Sequence, residues 1–572
     1  MEKRVLLAII LSLAVLLLWQ ALFPPPKPKR AERALPQQTE KKEPLQEDVF
    51  SPAISEKETA VSPRPSSPAK SEHTPLASEK EIVVNTDLYT ATFSSRGASL
   101  KSLKLLRYRN KMDPPNICFV FPFSLLYGKK MPHHNSQLKE LVNARGLVNN
   151  PFQTAFNGPD LDYHAFAPFT ANKSFLELDS TNPRGEITFS WLSEDGVAFS
   201  KKFTFFNDSY YVDYDFTIEN NSSKPLEGSP VVEWTSAVKS DGQEKTGGFF
   251  GGIGGEIQQF IYFISDKVNR KELKDIEENK AFSGEIKWAG FEEKYFVSSL
   301  IPRNAQDLKL KLLKSKDSEI TFQVVSPLTD IPLNAKQSFP YSIYLGPKDL
   351  NCLEREGGEL GRVVSFGFFD PVAKPMLFLL KLFYKFIPNY GLAIIFLSIG
   401  IKLVFWPLTH KSQKSMKGMQ KLQPKIAELK EKYKNNKEEL NRKTMEFYRT
   451  NKVNPLGGCL PILIQIPVFF ALYRVLLNSI EIRHAPLVSF WINDLSSKDP
   501  TYISPLLMGA SMFIQQKMTP TVGDPAQAKI MLAMPVIFTF MFLSFPSGLV
   551  IYWLVTNVLS IAQQYYINKH ST

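Results

Sequence analysis

The chain has 572 residues, 68 Lys and Arg against 56 Asp and Glu, and a formal net charge of +12. Hydrophobic residues make up 44% of it, yet mean hydropathy is only −0.15 because the apolar residues concentrate at the two ends. That pattern favours a membrane protein with a large soluble part over a nucleic-acid binder. The three cysteines (Cys118, Cys352, Cys459) and seven scattered histidines give no metal-type spacing and no catalytic constellation.

Residues 1–23 predict an uncleaved transmembrane anchor. Lys3 and Arg4 precede an apolar run, Val5 to Phe23, long enough to cross ~30 Å of hydrocarbon and without a small-x-small cleavage site. The basic flank keeps the N-terminus cytoplasmic. Residues 24–80 hold eleven prolines and too little apolar surface to fold, which predicts a disordered tether outside the membrane. Residues 81–350 read as a β-sandwich of two large sheets. Alternation marks strands at Tyr89–Ser94, Ile187–Leu192, Val197–Asn207, Tyr210–Asn220 and Phe339–Leu345, and helical periodicity first appears near Glu272–Asn279. The glycine-rich run 247–256 lacks phosphate-loop spacing and reads as a loop. If this region is extracytoplasmic, a pairing of Cys118 with Cys352 stays open.

Residues 351–388 predict a linker and an interfacial amphipathic helix, Pro375 to Pro388, with Lys381 and Lys385 at i,i+4 on one face. A transmembrane helix at 389–409 follows, and Lys402 lies well inside it. A charge there costs about 2.5–3.5 kcal/mol on insertion scales, so it is usually paired, solvated or functional. Snorkelling is the rival reading, because Lys402 lies about 10 Å of helix from Thr409. Ser398 is one turn away on the same face.

Residues 410–454 form a basic cytoplasmic hairpin with 13 Lys and Arg against 5 Asp and Glu, including Lys414, Lys417, Lys421, Lys425 and Lys430. Met419, Leu422, Ile426 and Leu429 give its first arm a helical stripe, Pro424 should kink that arm or mark its first turn, and Glu438–Thr450 supplies the second. It reads either as a lipid-facing positive loop or as a docking site. Further spans are expected at 455–478, 502–517, 529–545 and 547–567, joined by a periplasmic loop at 479–501 and a short cytoplasmic one at 518–528. Charge bias between the loops, together with six spans, puts both termini in the cytoplasm. Gln465, Asn557 and Tyr552 add polarity inside the spans, which suggests a hydrated cavity or groove.

Lys452-VNPLGGCLPILIQIPVFFAL-Tyr473, Phe490-WINDLSSKD-Pro500, Met534-PVIFTFM-Phe542 and Phe545-PSGLVIY-Trp553 resemble the signature runs of the YidC-type membrane protein insertase family, related to the mitochondrial Oxa and chloroplast Alb proteins. Trp288-AGFEEKY-Phe296 more loosely resembles the family's periplasmic β-supersandwich. The resemblance implies five core helices plus the anchor, in a bacterial inner membrane. It also implies a charged groove open to cytoplasm and lipid, walled by Lys402, Ser398, Gln465 and Tyr552 with Phe469 and Trp553 as apolar contacts. The family usually has Arg where Lys402 stands, so the charge is kept without the bidentate fork. Implied partners are nascent membrane proteins, the ribosome, the Sec translocon, the signal-recognition-particle receptor and lipids, with no DNA and no cofactor. A transporter and an envelope sugar-binding enzyme are the other classes. Neither inverted repeats nor a carboxylate pair supports them.

Overall fold

The computed structural model describes residues 79–570 except 111, 113–136, 146, 148–149, 159–161, 164–165, 239–257, 277–278, 305, 316–318, 356–358, 435, 452, 454–459 and 520–524. The expected anchor, nearly all of the tether, the glycine-rich run, Cys118 and Cys459 lie outside the described residues.

Among the described residues the β-region forms three sheets rather than two. In the first, the strands Glu81–Asn85, Tyr89–Ser94, Ser99–Arg109 and Leu138–Asn143 pair in sequence order, and Phe175–Glu177 adds a parallel edge. The second has nine strands. Its centre runs Ile286–Glu292, Phe296–Pro302, Lys336–Pro347, Tyr211–Asn220, Val197–Phe206. The third is built around Leu226–Ala237. The first three strands of the first sheet are joined by short turns and pair with their nearest neighbours in sequence.

Four of the five expected strands alternate as read; Tyr211–Asn220, for example, buries every second residue. Ile286–Glu292 and Phe296–Pro302 gave no such signal because both their faces are buried. The helical reading near Glu272–Asn279 is overturned. Lys267–Glu272 is a strand, and only the 3₁₀ turn Leu273–Asp275 follows it. The strand wins because Gln259–Ile264 pairs with it along its whole length.

After the short helix Leu350–Glu354, seven longer helices follow among the described residues: α1 (Asp370–Phe386), α2 (Tyr390–Lys432), α3 (Lys437–Thr450), α4 (Leu460–Asn478), α5 (Ile503–Met518), α6 (Pro525–Phe542) and α7 (Ser547–His570). Helix α1 begins at Asp370, five residues before the expected start, with a proline in its first turn where no backbone donor is needed. Helix α2 is capped by Asn389, whose Oδ1 accepts from Leu392 N at 3.0 Å. It continues as one 43-residue helix through Pro407 and Pro424, so the expected membrane segment and the first arm of the hairpin are a single rod. Pro424 does not end it, because Met419, Ile426 and Tyr448 pack together across α2 and α3 and hold the arm helical. Among the described residues α2 is the one helix both long and apolar enough to cross a membrane. Leu463–Asn478 and Met531–Phe542 are shorter apolar helices.

A polar cavity between three helices

Helix α7 carries Tyr552, Thr556, Ser560 and Gln563 at spacings of four, four and three, which places them on one face. That face meets Ser398, Lys402 and Thr409 of α2. Lys402 Nζ donates to Ser560 Oγ at 2.7 Å. The Ser560 hydroxyl proton is directed at the Thr556 carbonyl, 2.7 Å away, so its lone pair is left for the ammonium. Ser398 Oγ and Thr556 Oγ1 likewise donate to carbonyls one turn back, at 2.6 and 2.8 Å. One level further along, Gln563 Nε2 donates to Thr409 Oγ1 at 3.0 Å. The hydroxyls thus present oxygen lone pairs around a cation.

Between α2, α4 and α7 these groups enclose a cavity of about 30 Å³, lined by Ser398, Lys402, Thr409, Gln465, Tyr552 and Thr556 together with apolar side chains. A space of that size with several polar partners accommodates water. An ammonium has three donors. Among the described residues one of them is occupied, by Ser560. The Tyr552 hydroxyl is buried beside Gln465 and Thr556 without a hydrogen bond of good geometry, so it too can serve water or an incoming group.

One end of the cavity is closed. Beyond Ser398 and Tyr552 the helices are sealed by Ile394, Leu397, Leu472, Leu476 and Leu549, all buried. Over them lies the 479–501 loop. Gly391 lies so close to Leu487 that a Cβ there would collide with it, while Ser547 N donates to Ser497 O at 2.7 Å and Gly548 N to Leu495 O at 3.0 Å. The loop is internally fixed by two carboxylates. Asp494 accepts from His484 N, Ser496 and Ser497, and Asp499 accepts from Trp491, Thr501 and Ser504. Burial and the neighbouring Arg483 push His484 down to about 4, so it stays neutral at ordinary pH. Beside Lys402, Leu403 and Val404 point outward from α2 and are exposed, while further along α2 stays in contact with α7 through Thr409 and Lys417.

The structure brings Lys402, Ser398, Gln465 and Tyr552 to one cavity. It places Phe469 and Trp553 elsewhere, in an aromatic cluster with Phe538 and Phe542, where their ring centroids are 5.2 Å apart. In the hairpin Lys414, Lys421, Lys425 and Lys430 are exposed, whereas Lys417 Nζ donates to the Ile567 carbonyl of α7 at 3.0 Å. Lys385 is exposed, but Lys381 does not share its surroundings. Its Nζ lies 2.6 Å from Glu481 Oε1 and 3.7 Å from Asp349 Oδ1. Sequence reasoning missed Thr409, Thr556, Ser560 and Gln563. The signal was the recurring polar spacing along α7, which looks ordinary until α2 is set against it.

Two family descriptions match the chain: "YidC periplasmic domain" over residues 81–379 and "60Kd inner membrane protein" over 382–572. Among similar proteins, one named membrane protein insertase YidC from Syntrophus aciditrophicus is 40% identical with all of both chains covered. Another of that name from Geotalea uraniireducens is 41% identical, covering 100% of this chain and 99% of its own. Of the solved structures, an active YidC insertase with its first transmembrane domain resolved is 18% identical, covers 86% of this chain and 93% of its own, and gives a TM-score of 0.37.

Proposed function

Because the chain belongs to the YidC family of membrane protein insertases, inner-membrane proteins with a periplasmic domain, we propose that it inserts nascent membrane proteins by way of the cavity at Lys402. The polar tail of a new chain enters from the cytoplasmic end, where the ammonium attracts its acidic groups and lowers their desolvation cost. The apolar segment then passes into lipid, and its burial drives the step. Both termini lie in the cytoplasm and the β-domain in the periplasm, with six spans counting the anchor. Insertion proceeds alone or with the Sec translocon.

The observation that carries this reading is Lys402 itself, a cation at membrane depth with one hydroxyl partner and water-sized space beside it. The exposed lysines of the α2–α3 hairpin offer a docking surface for the ribosome or the targeting receptor. Exposed Phe378, Phe386 and Lys385 suit α1 to the lipid interface. The test is reconstituted insertion with Lys402→Ala and two substrates that differ only in acidic or neutral tails. The acidic substrate is expected to lose about tenfold, the scale of one charge interaction of ~1.4 kcal/mol, and the neutral one much less. Equal insertion of both at the parental level would defeat the charge mechanism.

A further inference from the structure

The Trp288–Phe296 run has no part in the insertion path just described, yet it forms a joint between the β-domain and the helical core. It makes the turn between Ile286–Glu292 and Phe296–Pro302, and its end is rigidly held. Glu292 pairs with Arg270 at 2.7 Å, Glu293 with Lys139 at 2.5 Å, and the Tyr295 carbonyl accepts from Lys348 N at 2.8 Å. Onto the Tyr295 and Phe296 rings lies the Arg483 guanidinium, 5.3 and 5.4 Å from their centroids. The same group donates to the carbonyls of Arg109 at 2.7 Å and Asn110 at 3.2 Å. Two residues earlier in the loop, Glu481, its side chain 7% exposed, meets Lys381 of α1 and, through it, Asp349 at the end of the β-domain. One short stretch of the 479–501 loop therefore grips both the β-domain and the interfacial helix. That same loop covers the sealed end of the cavity.

We propose that Glu481 and Arg483 are positioning residues of the insertase: they fasten the outer cap of the cavity to the β-domain and α1, and so keep the cavity closed on the periplasmic side. The physical reasons differ for the two. A half-buried ion pair that loses one partner leaves a charge uncompensated, which expels the remaining one towards water. An arginine stacked on two rings while donating to two carbonyls is a planar fit that lysine cannot reproduce. The inference rests on the orientation and groove given under Proposed function.

The test uses the full-length chain in proteoliposomes, with Cys118, Cys352 and Cys459 replaced by Ser and Ile464→Cys as a reporter on the cavity wall. A membrane-impermeant maleimide is applied from either side. In the parent the cytoplasmic side labels and the periplasmic side does not. Arg483→Lys and Glu481→Lys are expected to raise periplasmic labelling by about tenfold or more, within the usual range of coupling between linked sites. The exchanged pair Lys381→Glu with Glu481→Lys, made together with Asp349→Asn so that no carboxylate faces the new glutamate, is expected to restore protection. The denaturant midpoint and cytoplasmic labelling of the single variants are expected to stay at the parental level, which general destabilisation would not allow. Unchanged periplasmic labelling in both single variants, or no protection regained on exchange, overturns the proposal. A parent unlabelled from the cytoplasm instead overturns the groove reading, independently of the joint.

Discussion

The two halves of the molecule each draw a lysine inward, Lys201 completely and Lys402 partly, and they treat it in opposite ways. Lys201 lies in the β-domain with 0% exposure. Its Nζ donates to the Gly97 carbonyl at 2.5 Å and to the Phe152 carbonyl at 3.5 Å, and it lies 5.0 Å from the Phe169 ring centroid. Three partners surround three donors, and the group ties the first sheet to the second. Lys402 has one hydroxyl and a cavity. Burial alone therefore does not separate the two; the role proposed for Lys402 rests on its unused donors beside open space.

Exchanging each lysine for methionine separates the two roles most sharply. Lys201→Met would leave two buried carbonyls without a donor and cost about 2–4 kcal/mol, read as a lower denaturant midpoint by fluorescence of the buried Trp234 and Trp288. Insertion per folded molecule should be unchanged. Lys402→Met should do the reverse, leaving the midpoint in place while insertion of acidic-tailed substrates falls. Equal loss of stability in both variants would erase the distinction.

A smaller effect appears with pH. Burial pushes Lys201 down to about 7, below its unfolded value. Between those two values the unfolded chain binds more protons. Stability of the β-domain should therefore rise with pH from about 7 towards 10, by at most about 1.4 kcal/mol per unit, and be flat in this term below 7. Lys201→Met should remove that slope. Smallest of all, Lys402→Arg should change insertion less than about threefold if only charge at that depth matters, because Arg keeps the charge and alters the donor geometry. A large loss would show that the compact ammonium is needed to reach Ser560.

The contrast also explains what was legible in the sequence. Strands such as Tyr211–Asn220 declare themselves because one face is wet and one dry. Phe296–Pro302 is dry on both and does not. Lys402 stood out because a charge in an apolar run is costly. Lys201 did not, although the alternation of Val197–Phe206 sets it on the same inward face as Phe199 and Phe203, because a lysine next to Lys202 in a strand reads as solvated until the first sheet covers it. Ser560 escaped notice for a related reason: a serine in an apolar helix usually bonds its own backbone, as this one does, and only the opposing helix reveals its second role. The i,i+4 spacing of Lys381 and Lys385 named a common face correctly in principle, but neighbouring Glu481 draws one of them inward.

The central claim is that a nascent chain passes beside Lys402, and photocrosslinking tests it most directly. With a photoreactive residue placed at Ser398, Tyr552 or Lys201 and a ribosome-stalled membrane substrate supplied, adducts are expected from the first two positions and none from the third. No adduct at Ser398 or Tyr552 at any stalled length, with adducts confined to the β-domain, would contradict the account.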